Sequence, residues 1–245
     1  MTTISNLRIA IGELLDRQAE HFPDSYALVQ VERKARYTYA QLRAECDRLA
    51  RGLIELGISK GGHVCVWATN YPEWVVAQFA TAKIGAVLVT VNPAYRSYEL
   101  EYVLGQSDAS VLFLIGNFRT SDYVAMLNEV IPELRIADPG QLHSDKLPHL
   151  RNVVFIPPYP KESQSATYET PPGMWRWNEV LELGQTTSHQ ALAERQPQCD
   201  PDDVINIQYT SGTTGNPKGV MLTHLNIVAN ASYLEPIRKL LTPEM

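Results

Sequence analysis

Cysteine is scarce in this chain: Cys46, Cys65 and Cys199 are the only three among 245 residues. They are odd in number, far apart and form no C-x-x-C pair, which argues against a disulfide framework or a cysteine zinc site and fits a reducing compartment. Long apolar runs are also missing. A membrane-spanning helix needs about 20 consecutive apolar residues, and Glu73 and Lys83 interrupt the most apolar stretch, Val64 to Tyr95, so no transmembrane segment is expected. Positive charge is in deficit, with 21 Lys and Arg against 27 Asp and Glu and a net charge of -6. Without a basic stripe to neutralise a row of phosphates, nucleic acid is not an expected partner. The six histidines include no H-E-x-x-H or comparable ligand pair, so no metal site built by the protein itself is expected. Glu13 and Asp16 fall where a signal peptide would need its apolar centre, and the stretch is not of the Arg-rich, acid-poor transit type. The expected location is the cytoplasm. There are no internal repeats.

What is present is globular usage, 44% hydrophobic and 20% charged, long enough for one large or two modest domains that remove roughly 70 to 75% of the unfolded surface from water. Leu42, Cys46, Leu49, Leu53 and Leu56 keep helical spacing between a Thr38/Gln41 capping box and Gly57, predicting a helix over 38–57. Alternating blocks follow: a strand at His63–Trp67, a helix from Tyr71 to about Ile84, a strand at Val87–Val91, a helix from Ser97 and a strand at Val111–Ile115. Further on, a helix is expected at 121–131, with Tyr123, Leu127, Val130 and Ile131 on one face, and strands at Val153–Ile156 and Val204–Tyr209. Short continuous apolar strands separated by helices predict an α/β fold of layered βαβ units with a mainly parallel sheet, buried on both faces. Residues 157–175 hold five of the 16 prolines and read as a surface loop.

The chemistry is concentrated in Thr210-Ser211-Gly212-Thr213-Thr214-Gly215-Asn216-Pro217-Lys218-Gly219, which precedes a short apolar strand, Val220-Met221-Leu222, and another helix. Three glycines let the backbone turn and bring N–H groups close to an anion, the hydroxyls add donors, and Lys218 adds a mobile cation. A polyphosphate is the ligand such a loop can hold. A loop of this composition is often a mere turn, but ten such residues with a lysine, flanked by strands, favour the anion site. It is not a Walker A loop, because Gly219 follows Lys218 where Ser or Thr would hold Mg²⁺. Nor is Ser211 in a G-x-S-x-G elbow, since Tyr209 and Thr213 occupy the glycine positions.

Elsewhere the plainer reading is preferred. His224, just past the loop, is taken as structural, and Asn70-Tyr71-Pro72-Glu73 as an N-cap followed by a first-turn proline. Trp67 and Trp74 are taken as core aromatics, one of them able to border a pocket, and Asn92-Pro93 as a turn rather than the edge of an acyl site.

Tyr209 to Gly219 resembles the phosphate-binding signature of the adenylate-forming enzymes, the group of acyl-CoA synthetases, luciferases and peptide-synthetase adenylation domains. Tyr37-Thr38-Tyr39-Ala40-Gln41-Leu42 and Ala82-Lys83-Ile84-Gly85-Ala86-Val87-Leu88-Val89 resemble that group's first two motifs, in the same order. Val91-Asn92-Pro93-Ala94-Tyr95 and Ile207-Gln208-Tyr209 are more similar to fatty-acyl-CoA synthetases, notably the medium-chain branch. The resemblance implies a two-step reaction: a carboxylate attacks the α-phosphate of ATP to give acyl-adenylate and pyrophosphate, and coenzyme A then displaces AMP. It implies a cradle of Thr210, Ser211, Gly212, Thr213, Thr214 and Gly215 with Asn216 on its rim, a catalytic role for Lys218 on departing pyrophosphate, and ATP, Mg²⁺, coenzyme A and a small carboxylic acid as reactants and partners.

Members of that group are longer. The later Thr-Glu pair whose glutamate would hold Mg²⁺, the ribose-binding aspartate, the hinge and the lysine of the small C-terminal domain do not occur after Lys218. The chain therefore reads as an incomplete AMP-binding domain at the N-terminal part of the adenylate-forming fold, with 1–199 its first α/β portion and 200–245 the start of the phosphate-loop portion. Alone, it is expected to form no acyl-adenylate. The alternative is a non-catalytic truncated nucleotide-binding or interaction module, and a reading frame that continues past Met245 into a Thr-Glu motif would discriminate against it.

Overall fold

The computed structural model describes residues 8–158, 169–210 and 215–241. In chain order the elements are α1 (Ile11–His21), β1 (Tyr26–Gln30), β2 (Ala35–Thr38), α2 (Tyr39–Glu55), β3 (His63–Trp67), α3 (Pro72–Lys83), β4 (Val87–Thr90), α4 (Ser97–Gln106), β5 (Val111–Ile115), β6 (Asn117–Phe118), β7 (Ser121–Asp122), α5 (Tyr123–Val130), β8 (Asn152–Ile156), β9 (Trp175–Arg176), α6 (Trp177–Thr186), α7 (His189–Arg195), β10 (Val204–Thr210), β11 (Lys218–Thr223) and α8 (His224–Leu241). Seven strands form one sheet in the order β11-β10-β4-β3-β5-β8-β9, parallel throughout except for the β10/β11 pair. The expected α/β class with a mainly parallel sheet is what the chain forms.

β5 and β8 are buried at every position, as is β3 after His63. These strands have no polar face because helices cover both sides of the sheet. α1, α2, α3, α6 and α7 pack together as one group, and α4 with α5 form the other. The predicted capping box starts α2: Gln41 N–H donates to Thr38 Oγ1 at 3.3 Å, and the Gln41 side chain accepts from Thr38 N–H at 2.9 Å. In α5, Tyr123, Leu127 and Val130 are buried as expected, with Ile131 just beyond, but the helix starts at Tyr123 because Asp122 caps it and Ser121–Asp122 pair with β6.

Several expectations are corrected. α3 is capped at Tyr71 without a side-chain bond, and Asn70 instead offers its carbonyl to the Gln30 amide at 3.1 Å. The segment read as a surface loop ends inside the fold. Met174 is buried, and Trp175 begins β9 beside β8 and donates its indole N–H to Asn152 Oδ1 at 3.0 Å. Most of the rest of that segment, 159–168, lies outside the described residues. β11 begins at Lys218 rather than Val220, since Thr210 and Tyr209 pair with Lys218 and Gly219.

Within the first helical group a buried cation joins three helices. Lys83, 1% exposed at the end of α3, reaches Asp16 of α1 and Asp47 of α2, each at 2.5 Å. Gln196 completes the cluster by donating to the other oxygen of Asp16 at 2.6 Å. At the edge of the sheet His224 joins α8 to α1. Its Nδ1 accepts the Ile11 N–H at 3.1 Å, and its Nε2 is buried without a partner among the described residues. Burial pushes its pKa down to about 4, outweighing the opposite pull of Asp203 and Asp200. Among the described residues no helix is long and apolar enough to cross a membrane.

Two predictions follow from this packing. α2 and α6 meet backbone to backbone: a Cβ on Gly184 would lie 1.8 Å from the Arg48 carbonyl oxygen, and one on Gly52 would lie 2.2 Å from that of Val180. Helix propensity alone would make Gly184→Ala stabilising by about 1 kcal/mol, whereas the steric conflict makes it destabilising by about 2 to 3 kcal/mol in urea unfolding; a variant as stable as the parent contradicts the contact. For His224, the folded pKa lies below the unfolded value of 6.5, so the unfolded chain takes up a proton that the native chain refuses. Its contribution is complete above about pH 6.5, falls as pH is lowered towards 4 and is flat below that, amounting to about 3 kcal/mol at most. His224→Asn, which keeps an acceptor for Ile11, should lose that part of the acid sensitivity in pH-dependent unfolding, and an unchanged profile would refute the assignment.

Candidate functional site: the β10–β11 loop and the cavity at its foot

β10 starts in the core and ends at the surface. Ile205 and Asn206 are fully buried, Gln208 and Tyr209 half-buried, and Thr210 exposed. The chain then turns and returns antiparallel as β11, so that Thr210 faces Lys218 across the mouth of the loop and donates its hydroxyl to the Lys218 carbonyl at 3.4 Å. Thr210 and Lys218 are therefore held side by side at the end of the β10/β11 pair. Of the residues singled out from sequence, Thr210, Gly215, Asn216 and Lys218 are brought to this one end, and Ser211, Gly212, Thr213 and Thr214 lie outside the described residues.

Two glycines are there for different reasons. Gly215 has φ +116°, a conformation that side chains rarely adopt, with open space where a Cβ would stand. Gly219 sits opposite Tyr209, where a Cβ would come within 2.9 Å of Ile207 Cγ2. Lys218 is exposed, and among the described residues no carboxylate is paired with it.

At the carboxyl end of β10 the parallel strands open into a cavity of about 1100 Å³, bordered by Thr90, Asn92, Pro93, Trp74, Gln208 and Tyr209, with β1 as its far wall. Parallel α/β sheets bind ligands at this end of their strands. The Asn92-Pro93 turn is held rigidly there. Trp67 Nε1 donates to the Asn92 carbonyl at 3.2 Å, Tyr123 Oη donates to the Pro93 carbonyl at 2.6 Å, and Asn92 Oδ1 accepts the Ala94 N–H at 2.9 Å. The Trp67 and Tyr123 rings stack with centroids 3.6 Å apart. Asn92-Pro93 is thus a turn, as read, and also part of a cavity wall; Trp67 is core, and Trp74 is the tryptophan at the pocket.

The sequence reading assigned no role to Thr90, and took Gln208 only as part of the Ile207-Gln208-Tyr209 resemblance. Thr90 and Gln208 face each other across the β4/β10 pair, with the Thr90 hydroxyl donating to Gln208 Oε1 at 2.7 Å. A signal was present: Asn206 and Gln208 alternate with Ile205 and Ile207, placing two amides on one side of a strand that a parallel core would make apolar. His224 is committed to α1 and adds no group to the loop.

A sequence profile of the AMP-binding enzyme family matches residues 15–243. YngI of Bacillus subtilis (strain 168), which carries an acyl-CoA synthetase name, is 47% identical over 224 residues, 91% of this chain and 39% of YngI. The mitochondrial medium-chain acyl-CoA ligase ACSF2 of Homo sapiens is 40% identical over 238 residues, 96% of this chain and 37% of that protein. The chain thus spans under two-fifths of the length of these curated relatives. Among solved structures, acetoacetyl-CoA synthetase from Streptomyces lividans superposes with a TM-score of 0.72 at 27% identity, over 93% of this chain and 32% of that one. The anthranilate CoA ligase AuaEII, solved with anthranoyl-AMP, shares the fold with a TM-score of 0.72 at 22% identity, over 96% of this chain and 39% of its own. With the family profile spanning nearly its whole length, the chain belongs to the AMP-binding enzyme family.

Proposed function

We propose that the protein carrying this sequence activates a medium-chain fatty acid with ATP, forming an acyl-adenylate and pyrophosphate, and passes the acyl group to coenzyme A with release of AMP. The observation that carries this reading is the β10/β11 pairing, which brings Thr210, Gly215 and the exposed Lys218 to the carboxyl end of a parallel sheet. The names of YngI and ACSF2 support the reaction class and the acid class.

In this reading Thr210, Ser211, Gly212, Thr213, Thr214 and Gly215 cradle the β- and γ-phosphates, Asn216 borders them, and Lys218 stabilises charge gathering on departing pyrophosphate. Carboxylate and triphosphate repel, so the phosphates must be fixed and partly neutralised before the acid can approach the α-phosphate in line. The Thr210/Lys218 backbone pair fixes where the Lys218 side chain leaves the strand, next to Thr210. Mg²⁺ enters this reading as the companion ion of the triphosphate. The three thiols suit the cytoplasmic setting assigned here. Burial pushes Cys65 up to about 12 and Cys199 up to about 11, and raises Cys46 further still, leaving them protonated and unreactive at neutral pH.

ATP–pyrophosphate exchange by the full-length protein tests the reading. Exchange should require an added acid and be fastest with medium-chain fatty acids, whereas a preference for amino acids or aromatic acids would reject the acid class and leave the nucleotide chemistry standing. Lys218→Ala should slow adenylate formation by about 2 to 4 kcal/mol in the barrier, as for other lost transition-state donors. Thiol transfer from preformed acyl-adenylate should suffer less, and exchange at the parent rate in the variant would remove Lys218 from its role.

A further inference from the structure

A hydrogen-bonded chain of four side chains runs from the cavity into the helical layer behind it. The Thr90 hydroxyl donates to Gln208 Oε1 at 2.7 Å, Gln208 Nε2 donates to Asn206 Oδ1 at 2.6 Å, and Asn206 Nδ2 donates to Gln78 Oε1 on α3 at 2.9 Å. Asn206 is 1% exposed and has both its amide atoms taken up by the chain. Buried amides are costly unless bonded, and apolar side chains at 206 and 208 would fill the same space with less risk to stability. What apolar packing cannot supply is direction.

Direction matters at this strand. β10 meets β4 through only three register pairs, Asn206 with Leu88, Ile207 with Val89 and Gln208 with Thr90. A slip of one residue would turn every side chain of β10 to the opposite face, and Thr210, two residues beyond Gln208, would carry Lys218 with it through their pairing. We propose that Thr90, Gln208, Asn206 and Gln78 form a positioning relay that locks β10 to β4 and α3 and so sets where Thr210 and Lys218 stand relative to the phosphates of ATP. Gln208 and Thr90 are then positioning residues rather than catalytic ones. The inference rests on the assignment of that hairpin end to ATP.

The test measures KM for ATP in ATP–pyrophosphate exchange, together with the melting temperature, for the full-length protein with Gln208→Met or Thr90→Val, both close in size to the parent residue and unable to continue the chain. Each should raise KM for ATP about tenfold, the equivalent of one lost directional bond. The double variant should be little worse than the more damaging single one, because both cut one chain. A merely structural role would lower the melting temperature and the amount of active protein while leaving KM for ATP unchanged, and that outcome overturns the relay. If Gln208→Met is recovered unfolded, Thr90→Val decides alone. No exchange by the unaltered protein with any acid overturns the ATP assignment itself, which separates the two failures.

Discussion

A single buried ammonium organises the helical layer on which the site rests. Lys83 stands at the end of α3 with almost no contact with water, and two half-exposed carboxylates, Asp16 on α1 and Asp47 on α2, close on it. A charge in that position is tolerable only when its hydrogen-bonding capacity is met at short range, so α1, α2 and α3 are constrained together at one point rather than along a slack apolar seam. Two residues past Lys83, Gly85 turns the chain at φ +68° into β4. The position of β4, and of everything that pairs with it, therefore descends from this cluster.

β4 links this cluster to the candidate site. It receives β10 in parallel, β10 carries the hairpin end outwards, and the carboxyl ends of β3, β4 and β10 surround the cavity. The polar investment follows the same line: Thr90 at the end of β4, the two amides on β10, and the carbonyls of Asn92-Pro93 tied down by Trp67 and Tyr123. The central strand β5, by contrast, is apolar and buried at every position.

The parts of this arrangement that the sequence made legible are those set by local periodicity and local capping. The Thr38/Gln41 box and the unbroken apolar strands each carry their signal within a few residues. What was not legible depends on partners far along the chain. The α2–α6 contact needs Gly52 and Gly184 to face each other, and a lone glycine within a helix gives no sign of which neighbour it admits. Trp175 looked like the end of a proline-rich loop until Asn152, distant in sequence, supplied its acceptor. Lys218 looked like a loop residue because its strand character comes from pairing with Thr210 rather than from its own neighbours. Lys83 read as an interruption of an apolar run, and only the fold shows the two aspartates that make its burial favourable.

The central claim is that the hairpin end between β10 and β11 is built to hold the phosphates of ATP. A crystal structure of the full-length protein with a non-hydrolysable ATP analogue tests it most directly. The account predicts the β- and γ-phosphates lying against residues 210–218, within hydrogen-bonding reach of the Thr210 hydroxyl and the Lys218 ammonium. A triphosphate bound elsewhere, with that end of the hairpin free of it, would contradict the account.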